Sequence, residues 1–339
     1  MKEPTFGISI EPTWSQSYCL KLAIKSERLG FSNIWVPDSG LSPPYGDTIA
    51  TLAAIATSTA DIKFGSAIVN FYTRNPAQIA SSFLTLSDLG LSRSKSQRAI
   101  LGIGLGSSYN VSKFGIFSRK GMIENLREAI ESIQQLLKGE EVSIRTDPFE
   151  IERVKLSKSR GKIPIFVGSA SPKGLTLAGE LSDGVILTER IASEIQDKLK
   201  HIELGLAYSS RKRSDFRVIN SVVISIAGDK KKAENAARIT CAYLVSWLDE
   251  SLVLKYGIDE NKRKEIASRI MKGDEEGAAK LVDQKMLNLL TVSGTVKDCI
   301  EKSREHLRSG IDHIAFCEPF GPDKIEAISL IAKRVIPRL

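Results

Sequence analysis

The sequence predicts an α/β protein in which eight parallel strands close into a (β/α)8 barrel, with a helical insertion between strands seven and eight. Three observations carry this. Eight short apolar runs recur along the 339 residues, each followed by sequence of helical periodicity. That alternation at this spacing demands a parallel sheet with right-handed crossovers, and eight units favour closure over an open sheet. Finally, no Gly-x-Gly-x-x-Gly follows the first strand, which argues against a dinucleotide-binding open sheet. The string Gly102-Ile103-Gly104-Leu105-Gly106 only imitates that fingerprint, since it follows strand four and leads into no helix directly.

Taken in order, Thr5–Ile10 is strand one, ending at Glu11-Pro12. Ser17 to Leu29 places Leu20, Ala23, Ile24 and Leu29 at helical spacing, and Gly30 closes the helix as a C-terminal cap. Asn33–Val36 is strand two, followed by Pro37-Asp38-Ser39-Gly40, and Asp47 caps a helix from Thr48 to Thr59. Ile62–Val69 is strand three, β-branched and interrupted by Gly65. Asn75-Pro76 pairs an N-cap with a first-turn proline and opens a helix to Leu89. Gly90–Arg98, rich in Ser, Lys and Arg, reads as an exposed loop away from any site, because it precedes its strand. Ala99–Ile103 is strand four. Its end, like that of strand three, carries a polar or glycine-rich loop, and α/β sheets keep their sites at such ends.

Gly121 to Leu137 is a long amphipathic helix ended by Gly139. Glu140 to Lys162 is polar and irregular, with room for a small hairpin. Ile163–Val167 is strand five, and Ser171-Pro172 again pairs a cap with a first-turn proline. Gly184–Leu187 is strand six, Ser193–Tyr208 a helix, and Phe216–Ile226 strand seven. Lys230 to Trp247 is helical. Residues 249–290 stay helical and polar with breaks near Gly257 and Gly273, which is the insertion; the whole of 1–339 reads as one domain. A helix from Thr295 to Ser309, strand eight at Asp312–Phe316 and a last helix from Lys324 to Val335 complete the chain.

Composition bounds the function. Hydrophobic content is 42% and charged content 26%, ordinary for a globular protein. No apolar run approaches the roughly 20 residues of a membrane span, and the N-terminus has no signal-peptide core, so a cytoplasmic protein with no membrane partner is expected. Cys19, Cys241, Cys299 and Cys317 are scattered, with only His201, His306 and His313 to join them; the expectation is small buried hydrophobes and no metal site. The net charge is +8 and the pI about 9.2. The basic runs read as solvated helix ends and loops, or as attraction for a small anion. Aromatics, at 6%, do not interleave with them, so no nucleic-acid partner is expected.

At Trp35-Val36-Pro37-Asp38, at Gly65 to Pro76, at Ala99 to Gly106 and at Pro164 to Pro172 the sequence resembles the bacterial-luciferase-like superfamily. It is most similar to archaeal coenzyme F420-dependent methylenetetrahydromethanopterin reductases. Residues 178–185 and 321–324 extend the resemblance, so the blocks span nearly the whole chain in order. The resemblance implies a TIM barrel, a homodimer, and a flavin or deazaflavin held at the strand C-terminal ends. It also implies a bulge in strand three with a non-prolyl cis peptide, which falls at Ala67–Ile68.

Cofactor-binding residues implied in this way are Asp38, Ala67, Ile68, Asn70, Gly104, Gly106 and the loop Gly168, Ser169, Ala170, Ser171. Read from the residues alone, Asp38 equally suits turn capping, and the Gly168 loop equally suits a plain capped helix. That loop at a helix N-terminus is also a natural phosphate seat. The sequence departs from the family's pattern in three places. Ser39 stands where some F420-dependent dehydrogenases carry a catalytic His, and Ser9 and Ser107 stand where the reductases carry acids. Glu11, two residues past Ser9, is the candidate substitute, which makes Glu11 and Ser107 the candidate catalytic pair. The implied function is hydride transfer between reduced F420 and a small-molecule substrate. An FMN-dependent monooxygenase is the alternative, and a non-catalytic flavin-binding or structural barrel the reading from another class.

Overall fold

In the computed structural model, residues 3–12, 14–38, 46–116 and 120–339 are described. The eight apolar runs form the parallel barrel strands β1 (Thr5–Ser9), β2 (Asn33–Val36), β3 (Lys63–Ser66), β5 (Ala99–Gly104), β8 (Ile165–Gly168), β9 (Gly184–Leu187), β10 (Arg217–Ile226) and β12 (His313–Phe320). They are joined in that order, and β12 pairs back onto β1 to close the circuit. Two further short strands, β4 (Val69–Asn70) and β11 (Val292–Gly294), pair with β5 and β10. A separate antiparallel hairpin, β6 (Glu141–Arg145) with β7 (Glu150–Lys155), occupies the irregular stretch before β8.

By contact density the chain divides into two compact units, 1–188 with 195–220 and 310–315, and 189–194 with 221–309 and 316–339. In the first, inward side chains of successive strands fill the barrel. Trp35, Ile100, Phe166, Ile186, Ile219 and Ala315 form one buried layer, with Ala67 and Ile68 packed against it. The Trp35 and Phe166 rings stack with centroids 6.1 Å apart. Beneath them, the Trp35 indole donates from Nε1 to His313 Nε2 at 3.1 Å, and His313 Nδ1 lies 2.8 Å from Thr5 Oγ1. With Nε2 accepting, the ring is neutral and its proton sits on Nδ1, donating to Thr5. Burial, reinforced by the charges of Arg217 and Lys63, pushes the His313 pKa down to about 3.

The second unit carries the helices α8 (Lys230–Ser246), α9 (Glu250–Lys255), α10 (Glu260–Met271), α11 (Glu275–Leu281) and α12 (Gln284–Leu290). Their apolar faces share a core that includes Cys241, Val245, Ile266, Met286 and Leu287. Aspartates cap four of the five through side-chain bonds, at Asp229, Asp259, Asp274 and Asp283.

Three sequence expectations need correction. Gly90 lies inside a longer helix, α3 (Pro76–Leu91), and Arg98 is 1% exposed rather than in a solvated loop. Its guanidinium donates to the carbonyls of Ala56, Thr59 and Ile62 and to Thr59 Oγ1, while lying over the Phe64 ring. Second, a five-residue helix, α4 (Ser108–Ser112), does follow the Gly102–Gly106 string closely. Third, strand eight runs on to Phe320 through a cis Glu318–Pro319 bond. The cysteines Cys19, Cys241 and Cys299 are buried, with thiols pushed up to about 11, 12 and 12 by burial; Cys317 is half-buried.

Candidate active site

The site is built on an irregularity. Gly65 pairs with Ile100 and Val69 pairs with Ile103, four residues on one strand against three on the other. One extra residue is therefore accommodated, a bulge that separates β3 from β4. Within it the Ala67–Ile68 peptide is cis. Ser66 replaces the lost ladder bonds, its Oγ donating to Gly102 O at 2.7 Å and accepting from Gly102 N–H at 3.0 Å. The Ala67 N–H donates to Val36 O at 2.9 Å. The bulge turns Ile68 toward β5 and β8. A Cβ on Gly168 would lie 2.7 Å from Ile68 Cγ2, and one on Gly104 would lie 3.1 Å from Ile68 Cδ1. The two glycines thus make room for Ile68.

Above Ile68 lies a cleft of about 600 Å3. Of the residues expected from sequence, Asp38, Ala67, Ile68, Asn70, Gly106, Ser107, Gly168, Ser169, Ala170 and Ser171 line it together. Pro37, Leu105, Ile186 and Thr188 complete the lining. Gly104 lies beneath, paired with Gly168 in the sheet. Glu11 is at the end of β1 and does not line the cleft; its Oε1 accepts a long 3.4 Å bond from Ser9 Oγ. Thr188 went unnoticed in the sequence, although its place directly after strand six follows the same rule that found the others. Ser39 lies outside the described residues, as do the side chains of Tyr109 and Asn110.

Charge at the cleft is arranged by one cation. Arg74 pairs with Asp38 at 3.6 Å and with Asp47. Asp38 also accepts from Thr48 Oγ1 at 3.2 Å. Burial raises the Asp38 pKa above the usual carboxylate range, against the opposing pull of Arg74. Asp47 does two jobs, since its other oxygen caps α2 (Thr48–Ser58) at Ala50 N–H, 2.9 Å. Asn70 Oδ1 is taken by the N–H groups of Tyr72 and Thr73 and the Thr73 hydroxyl. Its amide nitrogen faces Gly106, whose φ is +66° and where an added Cβ would stand 3.3 Å from it.

On the far wall Ser171 caps α6 (Pro172–Leu181), its Oγ accepting from Gly174 N–H at 3.3 Å. The helix thereby presents its positive end, flanked by the Ser169 and Ser171 hydroxyls, to the cleft. Apolar floor, acidic and amide groups on one wall and a helix N-terminus on the other suit a planar ring system with an anionic extension.

Comparison with known proteins gives a consistent picture. The family model described as luciferase-like monooxygenase matches residues 8–313. The 5,10-methylenetetrahydromethanopterin reductase of Archaeoglobus fulgidus is 33% identical over 343 residues, covering 98% of this chain and 99% of the relative. That of Methanolobus tindarius is also 33% identical, with 98% and 99% covered. The solved coenzyme F420 dependent tetrahydromethanopterin reductase from Methanopyrus kandleri aligns over 99% of both chains with a TM-score of 0.91 and 28% identity.

Proposed function

The chain belongs to the luciferase-like monooxygenase family, and from that membership we propose that it is an F420-dependent oxidoreductase, most like methylenetetrahydromethanopterin reductase. The observation that carries the reading is the cleft over the Ala67–Ile68 bulge, in a chain similar from end to end to such reductases. Reduced F420, when bound, supplies a hydride to an electrophilic carbon of a small-molecule substrate.

The chain's own residues fit that group. Ala67 and Ile68 back the ring, and the side chain of Ile68 is held in place by the space at Gly104 and Gly168. Asp38 and the Asn70 amide meet its polar edge, while Gly106 and Ser107 border it. Ser169, Ala170 and Ser171 receive the anionic extension at the α6 N-terminus. Ala67, Ile68 and Ile186 give the reacting face an apolar floor. Of the candidate catalytic pair, Ser107 lines the cleft and takes the place beside the reacting face, while Glu11 lies outside the lining and contacts Ser9, where the resembled reductases carry an acid. Positioning does most of the work in such a step, which is why serines at two of those places are compatible with it.

We read residues 1–339 as one luciferase-like domain with 249–290 as its insertion, and the protein as a cytoplasmic homodimer. Among the described residues no helix is long and apolar enough to cross a membrane. Trp247, Leu254 and Met271, between 72% and 82% exposed, offer apolar surface to a second copy.

Titration of the purified protein with F420 and with FMN, read by fluorescence quenching, tests the function. Micromolar binding of F420 without FMN is expected. FMN binding alone would replace this reading with a flavin monooxygenase, and binding of neither with a non-catalytic barrel.

A further inference from the structure

Helix α13 (Val296–Arg308) carries Lys297, Glu301, Arg304 and Arg308 at steps of four, three and four residues, which places them on one face. Arg334 and Arg338, four apart in the C-terminal stretch, join that face across a groove of about 660 Å3 floored by buried Ile300. Five cations therefore border the groove with one carboxylate, Glu301. Among the described residues none of the five has a carboxylate within ion-pair distance, whereas Arg74, Arg127, Arg263 and Arg269 all do.

Like charges at this spacing repel one another and cost stability. Two of the guanidiniums are nonetheless tethered by main-chain oxygens. Arg304 donates to Arg338 O at 2.5 Å, and Arg338 donates to Arg334 O at 3.5 Å. Such bonds leave most of the five donors on each guanidinium directed elsewhere, in the rigid fork that matches phosphate oxygens two at a time. None of the groove's lining residues belongs to the cleft over Ile68.

We propose that this groove is a binding site for a small oligophosphate anion. Its charge excess needs a compact ligand bearing several negative charges, and its arginines supply bidentate geometry for them. The proposal is independent of what occupies the cleft.

Calorimetric titration of the full chain with inorganic tripolyphosphate at physiological ionic strength tests it, with orthophosphate, citrate and a short single-stranded RNA as comparisons. Saturable one-to-one binding of tripolyphosphate is expected, weaker for orthophosphate and citrate. Replacing two arginines together, Arg304→Gln with Arg334→Gln, should weaken it about tenfold or more. The same double variant should unfold cooperatively with a thermal midpoint at or above that of the parent, since both side chains are exposed and their removal relieves like-charge repulsion. Absent binding, or equal affinity in the double variant, overturns the proposal. So does citrate matching tripolyphosphate, which would make the site one for carboxylates. RNA binding more tightly through the same arginines would make it a nucleic-acid face.

Discussion

Lowering the pH from neutrality to about 5 should destabilise this protein well before its carboxylates protonate. The cause is two buried histidines. His313 is pushed down to about 3 by burial and by Arg217 and Lys63, and His306 to about 4 by burial and by Arg190. In the unfolded chain both titrate near 6.5. Above that value neither state binds a proton and the contribution is fully present. Below it the unfolded chain takes up protons that the folded one refuses, so stability falls at about 1.4 kcal/mol per pH unit for each histidine. Over the roughly 1.5 units down to pH 5 the loss is about 2 kcal/mol each, or about 4 together. Against a typical total of about 5–15 kcal/mol that is a large fraction. Asp298 and Glu260, held down to about 2, act only at lower pH, and the raised Asp38 works in the opposite direction, so the fall belongs to the histidines. Urea midpoints measured between pH 7.5 and 5 should therefore drop steeply, and His313→Gln should halve the slope whatever it does to the midpoint itself. An unchanged slope in that variant would refute the assignment of His313 as a proton-refusing group.

Three other outcomes are expected. Ser107→Trp fills the cleft rim and should abolish F420 binding while leaving the circular dichroism spectrum intact; normal binding would move the cofactor elsewhere. Arg74→Gln removes the cation that opposes burial at Asp38, so the Asp38 pKa rises further. F420 affinity should then acquire a pH dependence closer to neutrality than in the parent, measurable by fluorescence quenching across pH. Gly168→Ala sets a methyl 2.7 Å from Ile68 Cγ2. It should cost about 1–3 kcal/mol in urea unfolding and weaken cofactor binding, because Ile68 must shift.

The strands and most helix starts were legible because their signals are local. Asn75-Pro76 and Ser171-Pro172 mark α3 and α6 by capping chemistry that needs no tertiary partner. The cleft was legible for a related reason, since residues at strand ends converge once the strands are parallel. Arg98 was not. Its neighbours in sequence are serines and cations, which signal solvent, yet its partners are carbonyls of Ala56, Thr59 and Ile62, some 36 to 42 residues away. The resemblance names Gly104 as a cofactor contact, but what approaches it is Ile68, through a bulge whose one-residue offset appears only in the pairing register. The neutral tautomer of His313 likewise depends on Trp35 and Thr5, from opposite reaches of the chain.

Arg74 has a consequence beyond electrostatics. Its guanidinium grips Asp38 and Asp47, the residues that bracket the connection between β2 and α2. One side chain thus ties the acid of the cleft to the cap of α2, so a change at position 74 reaches both at once, and the placement of the acid and the start of the helix are inherited together.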